Sequence, residues 1–279
     1  MAAETTPTIT LNNGVRIPQL GFGTFQIAPA DTKEAVLTAL DVGYRHIDTA
    51  QMYGNEKEVG EAVRESGLDR SEVFVTTKLS NAHHARDAAL EAFDRSLEAM
   101  GLDRIDLFLI HWPLPAVGDF VETWKAMEEI YGSGRSRAVG VSNFNPPHLR
   151  RLIEETDLVP AVNQIEVHPY FTQNEVRAYD TEHGIATEPW SPIAQGRVLG
   201  DPAIAAIADR LGRTPAQVVL RWHLQRGDIV IPKSVHRPRM EENFQVFDFA
   251  LPDEDMKAIS HLDRDERIGP DPDTFDWTG

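Results

Sequence analysis

Short apolar runs alternate with amphipathic stretches along most of this chain. Residues 73–77 and 105–110 are rich in β-branched, aromatic and leucine side chains, as buried strands are. Residues 31–42 and 85–100 instead place apolar side chains at helical spacing. Asp31 fits the capping position of the first of these helices. Strands that alternate with helices predict βα units and a parallel sheet.

The alternation gives eight β/α units when the glycine-rich run at residues 20–24 counts as the first strand. Further helices are predicted near residues 56–66, 120–131, 147–155, 174–182, 202–225, 239–246 and 251–262. Ahead of them, Asn12-Asn13-Gly14 between two apolar runs is a strong hairpin signal. We therefore expect one α/β domain over residues 1–279, a (β/α)8 barrel. Its N-terminal β-hairpin is expected to plug the bottom, and its C-terminal tail to lie near the mouth.

Polar or aromatic side chains stand where seven of the predicted strands end. They are Asp48, Lys78, His111, Ser142 with Asn143, Gln164, Trp190 with Ser191, and Lys233. The carboxyl ends of barrel strands meet around one mouth, where barrel enzymes keep their active sites. These residues are therefore expected to share one site.

Composition narrows the possible functions. The 279 residues include 27 basic and 44 acidic side chains, a net charge of −17, which argues against nonspecific binding to nucleic acid or to anionic membrane. A basic segment at 233–239 is the strongest local exception; an anionic ligand and a solvated helix start both explain it. With no cysteine, disulfides, thiol catalysis and Cys-ligated zinc are excluded. Neither a signal peptide nor a membrane-length apolar run is visible, so a cytoplasmic location is expected.

Asp48, Tyr53, Lys78 and His111 suit proton transfer to a carbonyl oxygen. An ammonium beside Tyr53 would favour the phenolate, and a carboxylate would keep that ammonium charged in a buried site. The imidazole of His111 could donate an N–H to the substrate oxygen. Each residue alone also has an ordinary structural explanation: a turn cap for Asp48, packing for Tyr53, a surface lysine for Lys78 and a core histidine for His111.

Reduction of a carbonyl also needs a hydride, for which a nicotinamide cofactor is the expected source. The chain has no G-x-G-x-x-G fingerprint, so a Rossmann site is not supported. Barrels often bind phosphate at the loops after strands seven and eight, which is where the basic segment at 233–239 falls.

Three motifs, in order, resemble those of the aldo-keto reductases. They are residues 43–50 with 53–56, residues 139–144, and residues 231–234 with Arg239, Glu242 and Asn243. The resemblance covers nearly the whole chain and is strongest to the bacterial branch that includes 2,5-diketo-gluconate reductases.

The resemblance implies a role for each site residue. Tyr53 would be the general acid, Lys78 and Asp48 would tune it, and His111 would orient the carbonyl. The cofactor-binding set would be Ser142, Asn143 and Gln164 on the carboxamide, Trp190 on the nicotinamide ring, Lys233, Ser234 and Arg239 on the 2′-phosphate, Glu242 and Asn243 at the adenine, with Ser191 and Val235 beside them. This set implies NADPH as the cofactor, with NADH possible but weaker.

Two departures from the family pattern affect specificity. Ser80 stands where many relatives carry tryptophan, so the substrate pocket is expected to be wider or more polar. His236 replaces an arginine of some close relatives, which weakens the expected grip on the 2′-phosphate. The expected pocket wall is Phe22, Ser80, Trp112 and Trp277, with Phe275 as a further candidate; ordinary packing is the alternative for the two tail residues.

The favoured hypothesis is a monomeric, metal-free, NADPH-dependent reductase of aldehydes, ketones, dicarbonyls or keto-sugars. One rival is a metal-dependent barrel hydrolase; its ligands would come from His46, Asp48, Lys78, His111 and His168, with His83-His84 in addition. That rival leaves Tyr53 and the basic segment unexplained. The other is a non-catalytic NADPH-binding sensor, which would not need the four catalytic residues.

Overall fold

The computed structural model describes residues 6–279, and a sheet of seven parallel strands forms its centre. Two strands, β1 (Thr8–Thr10) and β2 (Arg16–Pro18), form a separate hairpin. The strands of the seven-stranded sheet are β3 (Phe22–Gly23), β4 (His46–Asp48), β5 (Phe74–Leu79), β6 (Ile105–Ile110), β7 (Ser136–Ser142), β8 (Val162–Glu166) and β9 (Ala186–Trp190). Strands β3 to β9 pair in sequence order, each parallel to the next. All their carboxyl ends therefore lie at one edge.

Ten α-helices connect or flank these strands within residues 6–279. They are α1 (Pro29–Val42), α2 (Glu56–Glu65), α3 (Arg86–Met100), α4 (Phe120–Gly132), α5 (Pro146–Glu155), α6 (Asn174–Glu182), α7 (Pro202–Leu211), α8 (Pro215–Gln225), α9 (Arg237–Phe244) and α10 (Asp253–Ser260). None of them is long and apolar enough to cross a membrane.

Two details of the helices differ from the expectation. Asp31 lies inside the first turn of α1, because Pro29 occupies the start of the helix and its fixed φ is already helical. The single helical region expected at 202–225 is two helices. Gly212 ends α7 in the left-handed conformation (φ 62°), and Thr214 begins α8 with a reciprocal capping box to Gln217.

The barrel is closed by residues 229–232, which are extended but form only an isolated bridge. The Ile229 N–H donates to Thr187 O of β9 (3.1 Å), and Val230 bridges in parallel to Leu20 beside β3. Gly23 permits this approach, since a β-carbon there would lie 2.9 Å from Ile231 O. The expected (β/α)8 barrel is confirmed, with its eighth strand reduced to this short bridging segment.

The hairpin of β1 and β2 covers the bottom of the barrel. The Asn12 and Asn13 side-chain amides each donate at 3.0 Å to the carbonyls of Pro160 and Arg137, which lie near the starts of β8 and β7. Its apolar residues Leu11 and Ile17 pack in one cluster with Phe74, Leu107, Ala138, Ala161, Val162 and Ile229. The strand ends opposite the hairpin are left open as the mouth.

Candidate active site

Asp48, Lys78 and Tyr53 meet at the mouth, although they come from three separate elements. Asp48 ends β4, Lys78 lies in β5, and Tyr53 ends a 3-10 helix at Gln51–Tyr53 that follows β4. The Lys78 ammonium donates to both carboxylate oxygens of Asp48 (2.7 and 2.8 Å) and to Thr49 O (2.9 Å). The Tyr53 hydroxyl lies 3.4 Å from the same nitrogen. Lys78 therefore joins the carboxylate to the phenol.

The charges of this group follow from burial and pairing. Burial acts to lower the pKa of the Lys78 ammonium, but Asp48 and Tyr53 outweigh it and raise that pKa above its usual value. Burial also raises the pKa of Tyr53; Lys78 opposes this rise without cancelling it. Lys78 therefore does lower the pKa of Tyr53, as expected, but burial has the larger effect. Without a ligand, the phenol stays protonated.

His111 follows β6 and faces Tyr53. The two rings are 5.8 Å apart between centroids, in an edge-to-face arrangement. Burial, together with the charge of Lys78, holds the pKa of His111 well below its ordinary range, so the imidazole is neutral. Its Nδ1 is buried without a hydrogen-bond partner in the described part of the chain. A neutral imidazole has one N–H to offer a substrate oxygen.

The amides of Gln164 and Asn143 connect this group to the neighbouring strand ends. Gln164 donates to Asp48 Oδ2 (2.8 Å), and Asn143 donates to the main-chain carbonyl of His111 (2.9 Å). The indole N–H of Trp190 donates to Asn143 Oδ1 (2.8 Å), and the Ser142 hydroxyl donates to Gln164 O (2.8 Å). Ser191 follows Trp190 with a left-handed backbone (φ 50°). Ser142, Asn143, Gln164 and Trp190 thus form one connected network, with Ser191 beside it.

The basic segment predicted for the phosphate surrounds the start of α9. Lys233 and Arg239 are exposed, and in the part of the chain that the structure covers neither has a carboxylate partner. Arg237 differs, because it pairs with Asp41 (2.7 Å) and Glu241 (2.8 Å). The remaining members of the set lie around the same helix: Ser234 and Asn243 are buried, Val235 and His236 are exposed, and Glu242 accepts a bond from Thr214 (2.8 Å).

Aromatic side chains and the C-terminal segment form the rim of the mouth. Trp112 packs against Phe275 with ring centroids 4.3 Å apart, and Trp277 O accepts a bond from the Asn81 amide (2.8 Å). The Ser80 N–H donates to Gln51 Oε1 (2.7 Å), which places Ser80 beside the Tyr53 helix. The C-terminal segment therefore lies at the mouth, near which it was expected.

Phe22 is not part of this rim. It is buried and packs edge-to-face on Tyr44, because its side chain points from β3 toward the surrounding helices. Phe25, which the sequence reasoning missed, is 53% exposed and lies 5.1 Å from the Tyr53 ring. As the first aromatic residue beyond the end of β3, it could have been found by the rule that located the other site residues.

A family comparison decides the identity of the chain. The model of the Aldo/keto reductase family matches residues 19–264. The chain belongs to the aldo/keto reductase family. The expectations of this family, of its barrel and of an enzyme are thereby confirmed.

Individual relatives of this aldo-keto reductase match it almost from end to end. Morphine 6-dehydrogenase of Pseudomonas putida is 48% identical, over 97% of this chain and 96% of its own. Methylglyoxal reductase DkgA of Escherichia coli (strain K12) is 47% identical, over 96% and 97%. The crystal structure of a Gox0644 variant in complex with NADPH superposes with a TM-score of 0.94, at 47% identity, over 98% of this chain and 99% of that one.

Two buried carboxyl groups of this aldo-keto reductase were not expected at the site. Glu188 in β9 is fully buried, and burial together with the nearby charge of Asp48 raises its pKa to about 8. Glu166 ends β8 and accepts bonds from the C-terminal segment. Glu188 lies in a predicted strand, and Glu166 lies two residues beyond the predicted end of its strand at Gln164. Sequence alone does not tell which of these carboxylates faces inward.

Two histidines of the hydrolase hypothesis, His168 and His46, are bound to other partners. His168 contacts Glu166 (2.9 Å), and His46 contacts Thr76 (3.0 Å) inside the barrel. Within residues 6–279, no group of three or more His, Asp or Glu side chains is arranged to hold a metal ion. The arrangement therefore gives that hypothesis no support.

Proposed function

We propose that this aldo-keto reductase reduces aldehydes, ketones, dicarbonyls or keto-sugars to alcohols with NADPH, and that Tyr53 is the general acid. One observation carries the proposal. A fully buried ammonium, Lys78, contacts both the Asp48 carboxylate and the Tyr53 hydroxyl, with the neutral His111 beside them. Such a group is suited to place one proton on an oxygen that is gaining negative charge.

Each residue has a separate task in this reaction. NADPH, when bound, supplies the hydride that adds to the carbonyl carbon. Tyr53 gives its hydroxyl proton to the carbonyl oxygen, so that C=O becomes CH–OH and the phenol becomes phenolate. Lys78 stabilises that phenolate by its charge, and Asp48 keeps Lys78 charged despite burial. His111 donates its N–H to the same oxygen and so orients the carbonyl.

The residues around the mouth fit the cofactor. Lys233 and Arg239 are cations without carboxylate partners among the described residues, so both are available to a 2′-phosphate. Asn143 and Gln164 present amides suited to a carboxamide, and Trp190 presents a half-buried ring suited to stack on nicotinamide. NADH is the weaker alternative because it lacks the 2′-phosphate, and His236 in place of an arginine reduces the expected difference between the two cofactors. The names of the relatives support the class, since one is a methylglyoxal reductase and one structure holds NADPH.

The substrate pocket lies between Phe25, Ser80, Trp112 and Trp277. Relatives of this chain carry names as different as methylglyoxal reductase and morphine 6-dehydrogenase, so membership of the family does not identify one substrate. Carbonyls flanked by an apolar or aromatic group would contact Phe25 and Trp277, and Ser80 leaves room for a polar substituent. One domain over 1–279, a monomeric state, a cytoplasmic location and the absence of nucleic-acid or membrane partners stay predictions.

The test is the loss of NADPH absorbance with methylglyoxal, an aromatic aldehyde and a keto-sugar, with NADH in parallel. Turnover with NADPH on at least one carbonyl, faster than with NADH, is expected. NADPH binding, seen by quenching of tryptophan fluorescence, without turnover on any carbonyl would contradict the proposal and favour the sensor. Activity that a chelator abolishes would favour the metal-dependent alternative.

A further inference from the structure

The Glu166 carboxylate holds the C-terminal segment against the barrel. It is buried at the end of β8 and accepts the N–H groups of Ile268 (2.6 Å) and Gly269 (2.8 Å), about a hundred residues further along the chain. His168 Nε2 lies 2.9 Å from the same carboxylate, which can only accept from it. Burial alone would raise the pKa of Glu166, but these three donors lower it below its ordinary value. The anion and its donors form a fixed anchor.

Gly269 lies between this anchor and Trp190. A β-carbon at position 269 would stand 2.5 Å from Cη2 of Trp190 and 3.1 Å from Oε2 of Glu166, so only a hydrogen atom fits there. The Nε1–H of the same indole donates to Asn143 Oδ1 (2.8 Å). The ring of Trp190 is therefore held at two points, at Nε1 by Asn143 and at Cη2 by the anchored segment.

We propose that Glu166 and Gly269 are positioning residues that set the plane of Trp190 for the nicotinamide ring. The inference rests on the proposed function, in which Trp190 stacks on that ring. Neither residue needs to touch the cofactor. Loss of the carboxylate would release the main chain at 268–269, and a methyl group at 269 would push the indole away from its present plane. Both changes would weaken the half of the site that holds nicotinamide and leave the phosphate half intact.

Two ligands separate this effect from general damage. NADPH contains the nicotinamide ring, whereas 2′-phospho-ADP-ribose carries the phosphates and adenine without it. We expect Glu166→Gln and Gly269→Ala each to raise the Kd for NADPH about tenfold, the size of effect that follows the loss of a buried charged hydrogen bond. The Kd for 2′-phospho-ADP-ribose should stay within about twofold of the wild-type value.

Each variant has a matched control. Glu266→Gln makes the same change in the same segment, at a side chain that bonds Arg197 and Arg264 near the surface. Gly132→Ala adds a methyl group at the end of α4, where it would meet nothing within 4 Å. Both controls should bind NADPH as the wild type does. If Glu166→Gln fails to fold, Gly269→Ala carries the test with the carboxylate in place.

Three results would contradict the inference. Equal weakening of NADPH and of 2′-phospho-ADP-ribose would mean that the two residues only support the fold. Unchanged NADPH binding in both variants, with a wild type that binds and turns over, would remove the inference and leave the proposed function standing. A wild type that binds no NADPH would overturn both.

Discussion

Lys78 is a buried cation whose neighbours determine both its charge and its use. No part of its side chain is exposed, and its ammonium has two bonds to Asp48 and one to Thr49 O. Removing one partner of a buried pair leaves the other charge without compensation, which destabilises proteins more than removal of both. Stability and catalysis can therefore be separated at this pair.

Lys78→Met should lower the free energy of unfolding by about 3–5 kcal/mol, because the buried Asp48 carboxyl group loses the partner of its ion pair. The double variant Asp48→Asn with Lys78→Met should regain much of that loss and yet remain at least about 10²-fold less active than the wild type. Urea unfolding and carbonyl-dependent NADPH oxidation measure the two effects. Restored activity in the double variant would show that the charges of the pair are not used in catalysis.

Lys233 and Arg239 should account for the preference between the two cofactors. Lys233→Met or Arg239→Ala is expected to raise the KM for NADPH about tenfold and to leave the KM for NADH nearly unchanged, because only NADPH carries the 2′-phosphate. Arg237→Ala is the control, since its guanidinium is already held by Asp41 and Glu241. Steady-state kinetics with both cofactors decides the point. Equal effects on NADPH and NADH would remove the 2′-phosphate assignment.

At the residue scale, the sequence identifies site residues where position along a strand is enough. The end of each strand could be read from the apolar runs, and Asp48, Lys78, His111 and Gln164 do lie together in space. Phe22 and Phe25 show where this reasoning stops. Both lie in the same glycine-rich stretch at β3. The folded backbone directs Phe25 toward Tyr53 and Phe22 toward Tyr44, and the sequence pattern does not distinguish these directions.

The barrel closes where β3, its first strand, meets the segment at 229–232. Gly23 lies where the carbonyl of Ile231 approaches the strand, and the absence of a side chain leaves room for that carbonyl. The extended run at 229–232 was expected as a full strand, but its bonds to Thr187 and to residues near Leu20 form only a short bridge. The apolar pattern at 229–232 indicates an extended backbone. How many of these residues pair depends on the strands on either side, which the local pattern does not describe.

Gly23→Ala should destabilise the barrel by about 1–3 kcal/mol, because the new methyl group must displace the main chain at Ile231. Gly118→Ala is the control, since nothing lies within 4 Å of a β-carbon at 118. The midpoint of urea unfolding, at an unchanged m-value, measures the difference. A Gly23→Ala protein as stable as the control would show that the closing segment moves at no cost.

On the scale of the whole molecule, the barrel interior combines the Lys78–Asp48 ion pair with two titratable groups, His46 and Glu188, whose pKa shifts favour the neutral form. Burial lowers the pKa of His46 to about 3 and, with Asp48, raises that of Glu188 to about 8. The net charge of −17, read from the composition, describes the surface and does not reveal this interior. The eight alternating β/α units predicted the barrel. The contacts of the C-terminal segment with Glu166 and Asn81 could not be predicted, because they join residues about one to two hundred positions apart.

Glu188 should make the protein less stable as the pH rises. The pKa of Glu188 is about 8 in the native protein and 4.5 ordinarily. Its contribution to the free energy of unfolding is therefore complete below pH 4.5, and it is lost as the pH rises through about 8. His46 acts in the opposite sense, but only below its ordinary value of 6.5. Between pH 6.5 and 8 the free energy of unfolding should therefore fall, and Glu188→Gln should reduce the fall by about 1 kcal/mol per pH unit.

Urea unfolding at several pH values measures this dependence, with Glu154→Gln on the exposed face of α5 as the control. The control should follow the wild type throughout. A Glu188→Gln protein with the same slope as the wild type would mean that Glu188 is already ionised in the native barrel at neutral pH.

Replacement of the Tyr53 hydroxyl tests the central claim most directly. Tyr53→Phe keeps the ring that packs against Phe25 and His111 and removes only the proton donor. We expect kcat for carbonyl reduction to fall about 10²–10⁴-fold, while the Kd for NADPH from tryptophan fluorescence stays near the wild-type value. A variant that reduces carbonyls at the wild-type rate, or one that loses activity and NADPH binding together, would contradict Tyr53 as the general acid.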